Sequence, residues 1–332
     1  MKKGIWVGCL IFVLTMIFLM ADRSDSQSPP FKPEKSKITL GMSVSTATYL
    51  SVYLALDQGL FMKEGLSVEP LVFSGGSELV RGVVGGSIDI GSCSLASMSL
   101  GINAGQKIKI FYAGINPSPF YWHAVPKIKT IADSRGARFG VTRYGSNTDF
   151  LTRYALRVNG LDPEKDVKIV QGGASAVRLA AMDKGQLDVN IFASPDNFLA
   201  ADKGYSLILS QKEFMKESCM QDFWATEKFI KENPNTIKAF LRAQVQGVRL
   251  AKKDRALSIK CLIERAGLQE KYAGRAYDEM IDFIYEDGRL PDEKSMDAFW
   301  EMGIMAGDYK EKWPREKYFD ATFIETYSKW KP

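Results

Sequence analysis

The 332-residue chain has one histidine, four cysteines and almost no excess of charge. Each scarcity removes a class of function. The histidine, His123, sits in the aromatic run Phe120-Tyr121-Trp122-His123, with no acid or nucleophile placed near it by sequence. A packed side chain is the expectation there rather than a general base, which needs a partner within hydrogen-bond reach. Cys9 lies in the N-terminal apolar stretch, which leaves Cys93, Cys219 and Cys261 with no C-x-x-C spacing. That is neither a disulfide framework nor a zinc site. One pair can bridge in an oxidising compartment, but buried free thiols are the expectation. Lys and Arg outnumber Asp and Glu by 44 to 39. This balance is too even, and too scattered along the chain, for a nucleic-acid partner. No Gly-Lys-Ser/Thr phosphate loop, Gly-x-Ser-x-Gly elbow or metal-ligand cluster occurs, so no cofactor is implied.

What the sequence does have is a stretch written twice. Val72–Ile90 reads VFSGGSELVRGVVGGSIDI, and Val170–Val189 reads VQGGASAVRLAAMDKGQLDV. Each is a strand, a Gly-Gly turn, a helix carrying Arg, a Gly, and an Asp that opens another strand. One interval separates Gly75 from Gly172 and Arg81 from Arg178. An interval two residues longer separates Gly86 from Gly185 and Asp89 from Asp188. The preceding segments echo too: Gly41–Gly59 and Gly140–Gly160 are each a strand, a Ser/Thr-rich turn, a helix and a Gly stop. A βαβ unit repeated in order predicts two similar α/β lobes.

In chain order, Met1-Lys2-Lys3 and the apolar run Gly4–Met20 predict an export signal or an N-terminal anchor. Residues 22–36, DRSDSQSPPFKPEKS, predict a disordered linker. Strands are predicted at Lys37–Leu40, Leu66–Phe73, Ile88–Ser92 and Lys107–Ala113, with the aromatic run closing lobe one at residue 124. Lobe two, residues 125–221, has strands at Phe139–Thr142, Val167–Val170, Asp188–Phe192 and Ser206–Ser210. From about Phe223 the pattern is helical, at 234–251, 254–266, 270–286 and 292–307, and is expected to pack back on lobe one. Lobe one would then be discontinuous, 37–124 with 222–332.

Four turns at helix starts are rich in Gly, Ser or Thr: Ser43–Thr48, Gly75–Ser77, Ser92–Ser94 and Gly145–Thr148. Helix N-termini at the carboxyl ends of strands offer free N–H groups to a small anion or compact polar molecule. The candidates are Ser45, Thr46, Gly76, Ser77, Ser92, Ser94, Gly145, Ser146, Asn147 and Thr148. Plain helix capping needs the same residue types. Arg143, in a turn, can pair with a carboxylate or sulfonate. Arg178 can make the same contact, but the place that it shares with its echo Arg81 favours a solvated helix residue. Tyr49, Tyr112, Tyr121 and Trp122 can stack on an organic ligand or simply pack.

Four segments resemble the periplasmic solute-binding proteins of ABC importers, in the nitrate/sulfonate/taurine group that includes thiamine-pyrimidine binders. They are Thr48–Glu69 (TYLSVYLALDQGLFMKEGLSVE), Ser74–Gly91 (SGGSELVRGVVGGSIDIG), Gly160–Gly173 (GLDPEKDVKIVQGG) and Phe223–Ala243 (FWATEKFIKENPNTIKAFLRA). The resemblance implies a two-lobe type II periplasmic-binding-protein fold, each lobe a mainly parallel sheet flanked by helices, with the ligand between lobes that close on it. It implies a monomeric, non-enzymatic protein outside the cytoplasm, a small-molecule ligand and a membrane permease as partner. It also adds Pro195 and Asp196 as ligand or hinge residues. A pyrimidine-binding protein and a membrane-tethered ligand sensor are the alternatives. The family's pyrimidine-synthase branch uses a catalytic histidine and a Cys-rich segment. This chain has only His123 and no paired cysteines, which argues against that branch.

Overall fold

The computed structural model describes residues 30–117 and 120–332. The export segment and most of the expected linker lie outside them. Phe31–Pro332 forms one unit. Its first residues are not the free linker expected for 22–36. The Glu34 carboxylate accepts from the amides of Asn235 and Thr236 at 3.1 and 2.8 Å, capping the helix Pro234–Lys253 with a charge of the favourable sign. Phe31 lies under the Lys238 ammonium, 5.2 Å from its ring centre.

Among the described residues, ten strands make two five-stranded sheets. In chain order they are β1 (Lys37–Met42), β2 (Ser67–Val72), β3 (Ile90–Cys93), β4 (Ile108–Tyr112), β5 (Tyr121–Ala124), β6 (Arg138–Val141), β7 (Lys168–Gln171), β8 (Val189–Phe192), β9 (Ser206–Ser210) and β10 (Asp222–Thr226). The first sheet runs β2-β1-β3-β10-β4 and the second β7-β6-β8-β5-β9, so the order is the same in both. β1 pairs in parallel with β2 and β3, and β6 with β7 and β8. The fourth strand of each sheet, β10 or β5, is antiparallel to both neighbours.

The repeat has a physical basis. The Asp89 carboxylate accepts from the Thr39 amide at 3.0 Å, and that of Asp188 from the Arg138 amide at 3.0 Å. Each aspartate thus pins the start of the neighbouring parallel strand. Gly86 and Gly185, at φ 78° and 65°, make the left-handed turn that stops each helix.

Three further expectations change. Tyr121–Ala124, placed in lobe one by sequence, pairs with Val189–Phe192 of the second sheet. The helical tail does not pack on lobe one alone. Helix Pro234–Lys253 lies on helix Leu50–Asp57 so closely that a Cβ on Gly247 would stand 2.2 Å from the Ser51 carbonyl. Helix Glu293–Ala306, however, packs against Asn147–Val158 of lobe two, with Phe150 and Phe299 ring centres 5.2 Å apart. The predicted helix 270–286 ends at Met280 and continues as a tight turn, Ile281–Phe283. The thiols of Cys93, Cys219 and Cys261 are free and buried.

Candidate ligand-binding site

Between the carboxyl ends of the two sheets lies a cavity of about 390 Å³. Turns from lobe one supply Ser45, Thr46, Gly76 and Ser94, and turns from lobe two supply Ser146, Asn147, Thr148 and Asp196. These eight of the sequence-derived candidates share one surface. Its apolar parts come from residues such as Val72, Phe73, Phe120 and Met220.

The lobe-two wall is a hydroxyl cluster. Thr142, Ser146 and Thr148 lie 2.7, 2.8 and 2.9 Å from one another through their side-chain oxygens. The Thr142 amide donates to Thr148 Oγ1 at 2.9 Å. Capping accounts for some hydroxyls and not others. Ser94 accepts from the Ser97 amide and caps Leu95–Asn103. Ser146 and Thr46 make no such bond to the helices that they precede. The Ser146 hydroxyl faces Thr142 and Thr148, and that of Thr46 lies 2.6 Å from Thr48. Asn147 Nδ2 has no hydrogen-bond partner among the described residues.

The remaining candidates stand elsewhere. Tyr49 lies buried behind the wall, its hydroxyl 2.6 Å from Gln221 Oε1 and 2.7 Å from the Ser92 carbonyl. It orients Gln221, which does line the cavity. Ser92 is buried beside it. Ser77 donates to the Tyr144 carbonyl at 3.2 Å, and Arg143 pairs with Glu78 at 3.2 Å, so both join lobe to lobe outside the cavity. Gly145 is a close-approach position: a Cβ there would come within 2.4 Å of Leu100. Pro195 lines a smaller pocket of about 110 Å³ alongside. The four aromatic candidates are structural. The Tyr112 hydroxyl donates to the Tyr285 carbonyl, that of Tyr121 to Glu279, and Trp122 Nε1 to Thr152. His123 is buried, which lowers its pKa, and its ring lies 6.2 Å from that of Phe192.

Arg178 is the largest departure. The solvated residue expected from Arg81 is 2% exposed and lines the cavity. Its guanidinium donates to the carbonyls of Gly173, Gly140 and Ile191, to Asn190 Oδ1 and to Ser175 Oγ. Burial lowers its pKa to about 10. Gly172 makes room for it, since a Cβ there would meet Arg178 Cγ at 2.7 Å. Arg81 stays on the surface, where it donates to the Ser77 carbonyl. The repeat therefore holds in backbone and parts company in chemistry.

Several lining residues were not anticipated. Thr142 is the last residue of a predicted strand, and Ser175 follows the Gly-Gly turn of the second copy at the start of a predicted helix. Met220 and Gln221, in the second crossing between lobes, carry no pattern. Ala266 and Gly267 reach the cavity from the helical tail.

Two sheets of this order around one such cleft define the periplasmic-binding-protein fold. A solved structure from Bordetella bronchiseptica RB50 superposes with a TM-score of 0.77 at 25% identity, covering 90% of this chain and 98% of that one. The alkanesulfonate-binding protein SsuA from Xanthomonas axonopodis pv. citri, bound to MOPS, superposes with a TM-score of 0.68 at 20% identity, over 85% and 96% of the two chains. The sequence is 28% identical to the nitrate/nitrite binding protein NrtA of Synechococcus elongatus, over 77% of this chain. The chain spans 65% of the length of that relative. Residues 31–261 match the model of the NMT1-like family, and the chain belongs to that family. A ligand binding component of an ABC-type import system from Staphylococcus aureus also superposes, with a TM-score of 0.72 at 11% identity over 88% and 98% of the two chains. Among the described residues no helix is long and apolar enough to cross a membrane.

Proposed function

We propose that the protein is an extracytoplasmic solute-binding subunit, which captures a compact organic molecule with an acceptor-rich or anionic end and delivers it to an ABC importer's permease. The cavity carries the reading: about 390 Å³ between two sheets, hydroxyl-lined from both lobes. That volume falls in the range of small-molecule sites, and a bare nitrate would leave most of it empty. Lobe one takes in residues 37–112 and 222–332 and lobe two 121–210, with 113–120 and 211–221 as the crossings about which they close. No covalent chemistry is assigned. The N-terminal segment serves export, with or without retention as an anchor.

The test is a thermal-shift screen of protein beginning at Asp22 against alkanesulfonates, taurine, nitrate, bicarbonate, aromatic carboxylates and pyrimidines. A ligand at 100-fold excess over its Kd stabilises by about 2.7 kcal/mol, which is a shift of several degrees. Loss of that shift in Ser146→Ala places the ligand on the hydroxyl wall. Folded, ligand-free protein that answers to none of these classes would sink the reading.

A further inference from the structure

A solute reaches the cavity only if the protein moves, because Cys93, Ser94, Ser146 and Arg178 on its walls are each at most 3% exposed. The two flanks that would have to move are built differently. On one, a single apolar core runs through both lobes. Leu95 and Met98 of lobe one, Phe299 and Trp300 of the tail, and Phe139 and Leu151 of lobe two all belong to it. The pair Arg143–Glu78 stands beside this core, at the turn that opens helix Asn147–Val158. In the same turn Gly145 fits closely against Leu100 of helix Leu95–Asn103.

On the other flank the cores are separate. The lobe-one core takes in Tyr277 and Met280 of helix Glu270–Met280 and, among the described residues, nothing from lobe two. Leu179, Met182, Phe192 and Ala200 belong to a small core of lobe two alone. Mostly polar contacts span the gap. Asp202 takes Lys271 and the Tyr272 hydroxyl, and Glu279 takes the hydroxyls of Tyr121 and Ser194. Arg275 lies over the Phe198 ring at 3.8 Å, and one ring pair, Phe198 with Tyr272, stands 6.3 Å apart. The pocket of about 110 Å³ lies along this seam, lined by Asp196 and Leu199 on one side and Ala266 and Gln269 on the other.

Water replaces exposed polar contacts at little net cost. Parting the shared core would instead bare buried aromatic surface. We infer that the cavity opens on the polar flank alone: lobe two swings away from helix Glu270–Met280 and pivots on the shared core, which stays closed. The helix is a clasp fixed to lobe one. This takes its purpose from the solute-binding reading above, while its geometry is independent of what is bound.

Two cysteine pairs in the full-length chain test it, each bridged by a short bifunctional thiol reagent. Lys271→Cys with Asp202→Cys bridges the clasp, and Glu78→Cys with Arg143→Cys bridges the opposite flank. The reporter is Cys93, a free thiol on the cavity wall, whose alkylation by iodoacetamide is followed by peptide mass spectrometry. Bridging the clasp should slow that reaction about tenfold or more relative to the same variant unbridged, and bridging the opposite flank should leave it within about twofold. Slowing by the second bridge, or by neither, overturns the inference. So does a Cys93 that reacts in unbridged protein no faster than Cys261, which is buried in the lobe-one core and reports unfolding. Each of these results leaves the solute-binding reading standing, since that reading is decided by the ligand screen.

Discussion

Arg178 and Arg81 hold matching places in the two copies of the repeat, and they should respond differently to the same substitution. Lysine cannot reproduce the planar fork that serves three carbonyls, an amide oxygen and a hydroxyl. Arg178→Lys leaves several of these acceptors buried and unpaired, at a cost of about 3 kcal/mol. Its melting temperature should fall by roughly 6–12 °C, while Arg81→Lys stays within about 1 °C of the parent; a scan of both variants checks this. Asp222 makes a second residue-scale case. It is fully buried, neither carboxylate oxygen meets a conventional donor among the described residues, and burial raises its pKa well above the usual range. An acid whose folded pKa lies above its unfolded value of about 3.9 leaves stability unaffected below that pH. Stability then falls as pH rises toward the folded pKa. Asp222→Asn should therefore raise stability at pH 7, by an amount on the order of 1–2 kcal/mol, and the gain should vanish at about pH 4. Urea titrations across that range would expose an opposite trend.

At the scale of elements, Gly247 sets two terms against each other. Alanine favours a helix over glycine by about 1 kcal/mol. A Cβ at Gly247 would nonetheless stand 2.2 Å from the Ser51 carbonyl, which is backbone and cannot swing away. Overpacking of this kind costs about 1–3 kcal/mol. Gly247→Ala should thus be net destabilising, by up to about 2 kcal/mol, read as a lower denaturant midpoint. The same helix shows what was legible in the sequence. Its start at Pro234 and its apolar side were plain, because both are local signals. So were the parallel strands and the shared turns of the repeat, which placed Ser146, Thr148, Ser45 and Thr46 beside one cavity. The short strands β5 and β10 were not. Four or five residues leave too little period to separate a strand from a crossing, and their partners lie far away in sequence. Arg178 was misread for a related reason. A surface helix and one laid over a cavity floor have the same periodicity, and only Gly172 and Asn190, brought in by other elements, make the difference.

Seen whole, the molecule ties its two sheets together on several sides. Arg143 meets Glu78 and Ser77 meets Tyr144 in one place. On another side Glu279 of helix Glu270–Met280 takes the hydroxyls of Tyr121 and Ser194, and Asp202 takes Lys271 and Tyr272. Phe299 packs on Phe150 in a third. The helices that make the last two ties lie beyond residue 261, where the family match ends. The tail is therefore a structural partner of both lobes, and Ala266 and Gly267 bring it to the cavity wall itself.

The placement of β10 also fixes an order of assembly. All five strands of the second sheet fall within residues 121–210, one continuous segment. The first sheet is different. β3 and β4 are joined only through β10, which begins at residue 222. A chain emerging from the ribosome has made both of those strands, and all of lobe two, before the piece that connects them exists. Lobe one must wait with a gap in its middle, while lobe two needs nothing more than its own segment to complete its sheet. Fragment 120–215, produced alone, should show cooperative melting and dispersed amide resonances. Fragment 37–117 should show neither until a peptide carrying residues 218–253 is added.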